Sequence, residues 1–143
     1  MRCLFRLLTI AAIFAFPAVA FSQSNEAGPI RSSAAYAEVL LRKTELLADL
    51  ESFLESYTEA NPRVIDTRFE LGSLERSLEK VFAVKATETG KLTLALGKLI
   101  VKRAALETET NRLTRTYSTD HPELKRAKRR VEIFANAIKE VLR

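Results

Sequence analysis

The sequence predicts an all-α fold, two tandem helical hairpins that form an antiparallel four-helix bundle, and three observations carry the prediction. The composition is that of a helical protein. Among 143 residues there are 4 Gly, 4 Pro and no Trp, and Leu, Ala, Glu, Lys and Arg, which lose little on entering a helix, are abundant. Apolar residues recur at alternating steps of three and four, the period of an amphipathic helix. Finally, one phrase is written twice: YTEANPRV at Tyr57–Val64 returns, sixty residues on, as YSTDHPEL at Tyr117–Leu124.

The first twenty residues read as a leader. Arg2 and Arg6 form a basic start, and the apolar run from Leu7 to Phe16 is shorter than the about 20 residues that span a bilayer. Ala18-Val19-Ala20 then offers a signal peptidase its small residues, with cleavage expected after Ala20 and Ser22 as the second position. The single cysteine, Cys3, precedes the apolar run. It would leave with the leader, so stability is expected from packing and not from a disulfide. Residues 21–31 read as a flexible lead-in.

Residues 32–84 form the first predicted hairpin, 85–90 a linker and 91–143 the second hairpin. Helices are expected over 33–58, 62–84, 91–118 and 122–142. After each proline the apolar stripe is regular: Val64, Thr67, Leu71, Leu74, Leu78 and Val81 in one copy, Leu124, Ala127, Val131, Phe134, Ile138 and Val141 in the other. Such spacing traces the narrow seam of coiled-coil-like packing. Before the prolines, Val39, Leu46, Leu50, Phe53 and Tyr57 are echoed by Leu99, Leu106, Leu113 and Tyr117. Lys43 and Arg103 interrupt the two stripes at the same place, where a long stem can lie on apolar surface with its charge in water. Agreement across two helices and a turn indicates internal duplication.

The phrase itself is a turn. Pro62 and Pro122 suit the first position of a helix and push Asn61 and His121 out of the helical region. Asn61 is a good N-cap. In the second copy the cap is His121 or Asp120, the latter completing a capping box with Glu123. The linker Lys85–Gly90 is polar, rich in Thr and ends in Gly, which predicts a loop; the rival is one long helix through 62–118 flanked by two shorter ones.

Chemistry is sparse. His121 is the only histidine, and with no cysteine left beside it a metal or catalytic role would need partners that only Asp120 and Glu123 could supply. The sequence therefore predicts a non-enzymatic protein with no cofactor, a hydrolase built on His121 being the weakest alternative. Tyr57 and Tyr117 could stack on a sugar or a partner, or close the ends of the hairpin cores with hydroxyls bonded near the turns. Charge is divided between the repeats. Residues 21–83 hold 7 Lys and Arg against 11 Asp and Glu, and residues 84–143 hold 14 against 7, net −4 and +7. Lys125, Arg126, Lys128, Arg129 and Arg130 spread over roughly 200° of one helix. They are either an anion-binding face for acidic polysaccharide or anionic lipid, or a solvated face that pairs with the acidic first hairpin, within the chain or across a homodimer. Nucleic acid is the least fitting anion for an exported chain.

Leu113, Tyr117, His121-Pro122 and Leu124, followed by heptads to Val131, resemble a segment of the polysaccharide chain-length determinant family, also called co-polymerases. Tyr57, Asn61-Pro62 and Val64 match with Asn for His. The resemblance covers about thirty residues in each copy; the family's membrane-spanning helices, α/β base and kinase domain have no counterpart. It implies a helical scaffold near envelope polysaccharide and no activity. The expectation is thus an exported scaffold or protein-interaction module of the cell envelope, periplasmic or secreted. The alternatives are a binder of acidic polymers through residues 125–130 and, more weakly, a periplasmic holdase chaperone.

Overall fold

Four side chains start the four long helices, and they stand in two pairs sixty residues apart. A computed structural model describes residues 27–143; the expected leader, its cleavage site and the first part of the lead-in lie outside the described residues. Ser33 Oγ accepts the Tyr36 N–H (3.2 Å) to open α2 (Ala34–Ser56), and Thr93 Oγ1 accepts the Leu96 N–H (3.3 Å) to open α4 (Leu94–Thr114). Asn61 Oδ1 accepts the Arg63 N–H (2.9 Å) ahead of α3 (Pro62–Phe82), and His121 Nδ1 accepts the Glu123 N–H (3.3 Å) ahead of α5 (Pro122–Leu142). Each cap satisfies a donor that the first turn of a helix leaves without a partner.

The two turns are hydrogen-bonded alike. The Tyr57 N–H donates to Phe53 O (2.7 Å) and the Tyr117 N–H to Leu113 O (2.9 Å), while the Asn61 N–H donates to Thr58 O (2.9 Å) and the His121 N–H to Ser118 O (3.1 Å). Asn61 (φ −65°, ψ 134°) and His121 (φ −58°, ψ 133°) are extended, as a following proline requires. The cap of the second copy is therefore His121 rather than Asp120.

The linker corrects the expectation of a plain loop and excludes one long helix through 62–118. Residues Ala86–Lys91 form a 3-10 helix set off by extended backbone at Lys85 (ψ 146°) and Thr93 (ψ 163°). Among the described residues no glycine has positive φ, so Gly90 is not what breaks the chain. The break is fixed by Leu92, buried in the core, whose carbonyl accepts the Ala35 N–H (3.2 Å). The flexible lead-in is corrected over its last five residues. Ala27–Arg31 form a short helix, α1, and buried Ile30 joins the core.

The helices run up, down, up and down, but they do not close a square. α2 and α4 are parallel and touch, their N-termini together at Ala35 and Leu92. α3 lies antiparallel against both, and α5 lies antiparallel on α4 and makes at most marginal contact with α2 or α3. This is how the hairpins of a repeat protein stack, the first helix of one hairpin docking on both helices of the one before. Val39, Leu46, Leu71, Leu74, Val81, Leu96, Ile100 and Ile138 form the shared core with Ala35 and Ala104. The predicted seam is buried through Val64, Thr67, Leu71, Leu74 and Val81 in α3 and through Leu124, Ala127 and Ile138 in α5.

Because α3 has neighbours on two sides, its buried face is wider than one stripe. Glu70, Ser73 and Ser77 are buried with it, and each has a partner, as burial of polar groups demands. Arg42 Nε donates to Glu70 Oε1 (2.9 Å), Ser77 Oγ to Ser73 O (2.9 Å), and Ser73 Oγ to Glu107. Burial works against the charge on Arg42, but its hydrogen bond to and attraction by Glu70, with help from Glu45, outweigh that and raise its pKa. Among the described residues no helix is long and apolar enough to cross a membrane.

Candidate interaction surfaces

The outward side of α2 is apolar. Leu40, Leu47 and Leu54 stand seven residues apart and so in one row along the helix, with Leu41 beside them, and the four are 40–59 % exposed. Ala37, Thr44 and Ala48 complete the face, all exposed. Single exposed leucines are ordinary; an aligned group on one helix marks an interaction surface. Sequence reasoning followed the other side of α2, the stripe through Val39 and Leu46, and did not single out this one. Its signal was present in the spacing of Leu40, Leu47 and Leu54.

The basic run on α5 does not converge on one site. Lys125 pairs with Asp120 (3.0 Å) and Arg130 with Glu109 (3.5 Å), both partners lying in the second repeat. Arg126, exposed, lines a cleft between α4 and α5 with Glu109, Arg112, Glu123 and Arg130. Lys128 turns the other way, into an open groove of about 490 Å³ between α3, α4 and α5, whose walls include Phe69, Arg76, Glu107, Val131 and Glu132. Lys128, Arg129 and Arg126 have no ion pair among the described residues. Among the described residues the expected pairing of this run with the acidic first hairpin is thus not made within the chain; Arg115 with Asp66 joins the repeats there.

Each hairpin has one set of turn residues, and the two sets pack their rings differently. Tyr117 stacks on His121 with ring centroids 3.9 Å apart and an angle of 10°. Tyr57 meets Phe53 edge to face at 6.2 Å, and the Arg63 guanidinium covers both rings at 5.8 and 5.9 Å. Both tyrosines are exposed and, among the described residues, neither hydroxyl is hydrogen-bonded. This corrects the expectation that they close the cores through bonded hydroxyls. Pro62 and Pro122 occupy the first helical position as expected.

His121 spends its Nδ1 lone pair on the cap, and Asp120 is directed to Lys125. A group of three or more His, Cys, Asp or Glu side chains able to hold a metal is absent among the described residues. In the middle of α4, Arg103 bonds Glu107 (2.5 Å), and among the described residues its buried Nε has no partner. In the first turn, hydrogen bonding to Arg68 holds Glu59 below its ordinary pKa.

Comparison with known proteins adds no relative: no protein-family model matches the chain, and neither a curated protein nor a solved structure matches it.

Proposed function

We propose that this protein is a non-enzymatic helical scaffold of the cell envelope, exported by its basic and apolar leader, that works by binding protein through the outward face of α2. The observation that supports this reading is the aligned exposure of Leu40, Leu41, Leu47 and Leu54 on a helix whose opposite side is fixed in the core through Val39 and Leu46. A rigid helix presenting an apolar row is a common way to receive another helix. An association with polysaccharide assembly rests on the resemblance of the two turn segments to the chain-length determinant family. The reading is tested in cells with a photo-crosslinking residue at position 47 or 40 of the full chain and a control at Glu79, exposed on α3. Protein adducts at 47 and 40 and none at 79 are expected; no adduct at either leucine would refute it.

A second reading is favoured by Arg126 and Arg129, exposed and without ion pairs among the described residues. These could hold an acidic glycan or anionic headgroup along α5. Binding to such polymers at low salt that fades as salt rises is the expected result, and retention at high salt or no binding at all counts against it.

A further inference from the structure

The sixty-residue repeat allows each surface of one hairpin to be compared with its counterpart in the other. On α4 the face that meets the first hairpin carries Gly97, Ile100, Ala104 and Thr108, all buried. Their counterparts on α2 are Ala37, Leu40, Thr44 and Ala48, the same alternation of small and large, and all four are exposed. α2 therefore presents a docking face of the kind α4 uses inside the chain, with nothing among the described residues docked on it.

The opposite end of the stack is open in the matching way. The seat for α4 is made on α2 by Ala35 and Glu38, which lie against Gly97, and on α3 by Asp66, which pairs with Arg115, and by Ser73, which bonds Glu107. Sixty residues on stand Ala95, Lys98, Arg126 and Ile133, all exposed, Ile133 at 66 %. The acids of the inner seat are replaced by bases. The outward face of α2 ends in Glu51 and Glu55, both exposed. A basic seat and an acid-tipped docking face complement each other.

We propose that copies of this chain stack head to tail. The outward face of α2 in one copy occupies, on α4 and α5 of the next, the seat that α4 occupies on α2 and α3 within the chain. The inference rests on the reading of α2 as a binding surface and names the occupant as a second copy. Because the two faces differ, the contact is heterologous and leaves a free end after every addition, so the product is a linear series rather than a closed dimer. The charges on α5 that, among the described residues, find no partner in the first hairpin of their own chain are then offered to the first hairpin of another.

Sedimentation of the purified protein over a range of concentrations is the test, with Leu47→Glu to spoil one face and Ile133→Glu to spoil the other. Both positions are exposed, and retained helicity by circular dichroism establishes that each variant folds; Leu40→Gln replaces Leu47→Glu if it does not. The unaltered chain should grow past the dimer with concentration, and less so as salt rises. Each variant alone should be a monomer, and the two mixed should give a one-to-one dimer, since each retains the face the other lacks. A monomer at every concentration, or a mass that halts at the dimer and survives Ile133→Glu, would overturn the proposal. Adducts at Leu47 in cells that contain only another protein, with a purified chain that stays monomeric, would remove the head-to-tail stack and leave the interaction reading standing.

Discussion

Gly97 of α4 lies so close to Ala35 of α2 that a Cβ added there would stand 3.0 Å from the Ala35 Cα and carbonyl oxygen and 2.7 Å from the Glu38 Cβ. These are atoms that cannot swing aside, so the parallel approach of the two hairpins depends on the missing side chain. Gly97→Ala should destabilise the protein by about 1–3 kcal/mol through overpacking, despite the better helix propensity of Ala. Gly72→Ala in α3 would meet only the end of the Arg76 side chain, at 3.4 Å, and should stabilise by roughly 0.5–1 kcal/mol. Urea unfolding of both variants checks the pair; the same sign for both would refute the close approach.

Leu74 and Ile65 lie on the same helix with opposite fates. Leu74 is fully buried where α3 meets the core, and Ile65 is exposed. Leu74→Ala should cost about 2–5 kcal/mol and Ile65→Ala about 0.5 kcal/mol or less. Denaturant midpoints with unchanged slopes are the measurement, and comparable losses at the two sites would displace the seam.

The shared cap geometry makes His121 replaceable by the residue of the first copy. His121→Asn should hold or raise stability, since Asn61 accepts a bond from the residue two places on in the same way. His121→Ala, which removes the acceptor, should lower it by about 0.5–2 kcal/mol. Thermal unfolding of the two variants side by side decides it.

Glu59 and Arg68 tie the first turn to α3 by a two-pronged ion pair. The hydrogen bond from Arg68 holds the carboxyl below its ordinary pKa, so the charged form is the one favoured by folding. Its contribution is present above the carboxyl value of the unfolded chain and is lost as pH falls through the lowered value of the folded one. A proton-detected titration of the Glu59 side chain should show the depression, and it should shrink in Arg68→Gln and at high salt.

Much of the architecture was legible because the signals were local. Pro62 and Pro122, one residue after their caps, set both turns, and the seam from Val64 to Val81 announced α3. What could not be read was which helices would be buried on two sides. α4 buries Leu106 on one side and Gly97, Ile100, Ala104 and Thr108 on another, so its sequence shows two overlapping stripes where a search for one finds only Leu99, Leu106 and Leu113. Burial of Glu70 and Ser73 was hidden for the same reason, since their partners Arg42 and Glu107 lie on other helices. The basic run was obvious as composition, but its division between two sides of α5 depends on α4 lying beneath it. The leucines of α2 were visible as letters and became a surface only once the structure left them exposed.

The lopsided seating of the helices also bears on how the chain acquires its shape. α2 packs on α3, α4 on both, and α5 on α4, so each later long helix rests on ones earlier in the chain. No long helix waits for a partner much farther along the chain, so the entropy lost in closing loops is small and folding should be rapid. A polypeptide that emerges N-terminus first can build this structure in the order of its own synthesis or delivery. Each new helix finds its platform already made.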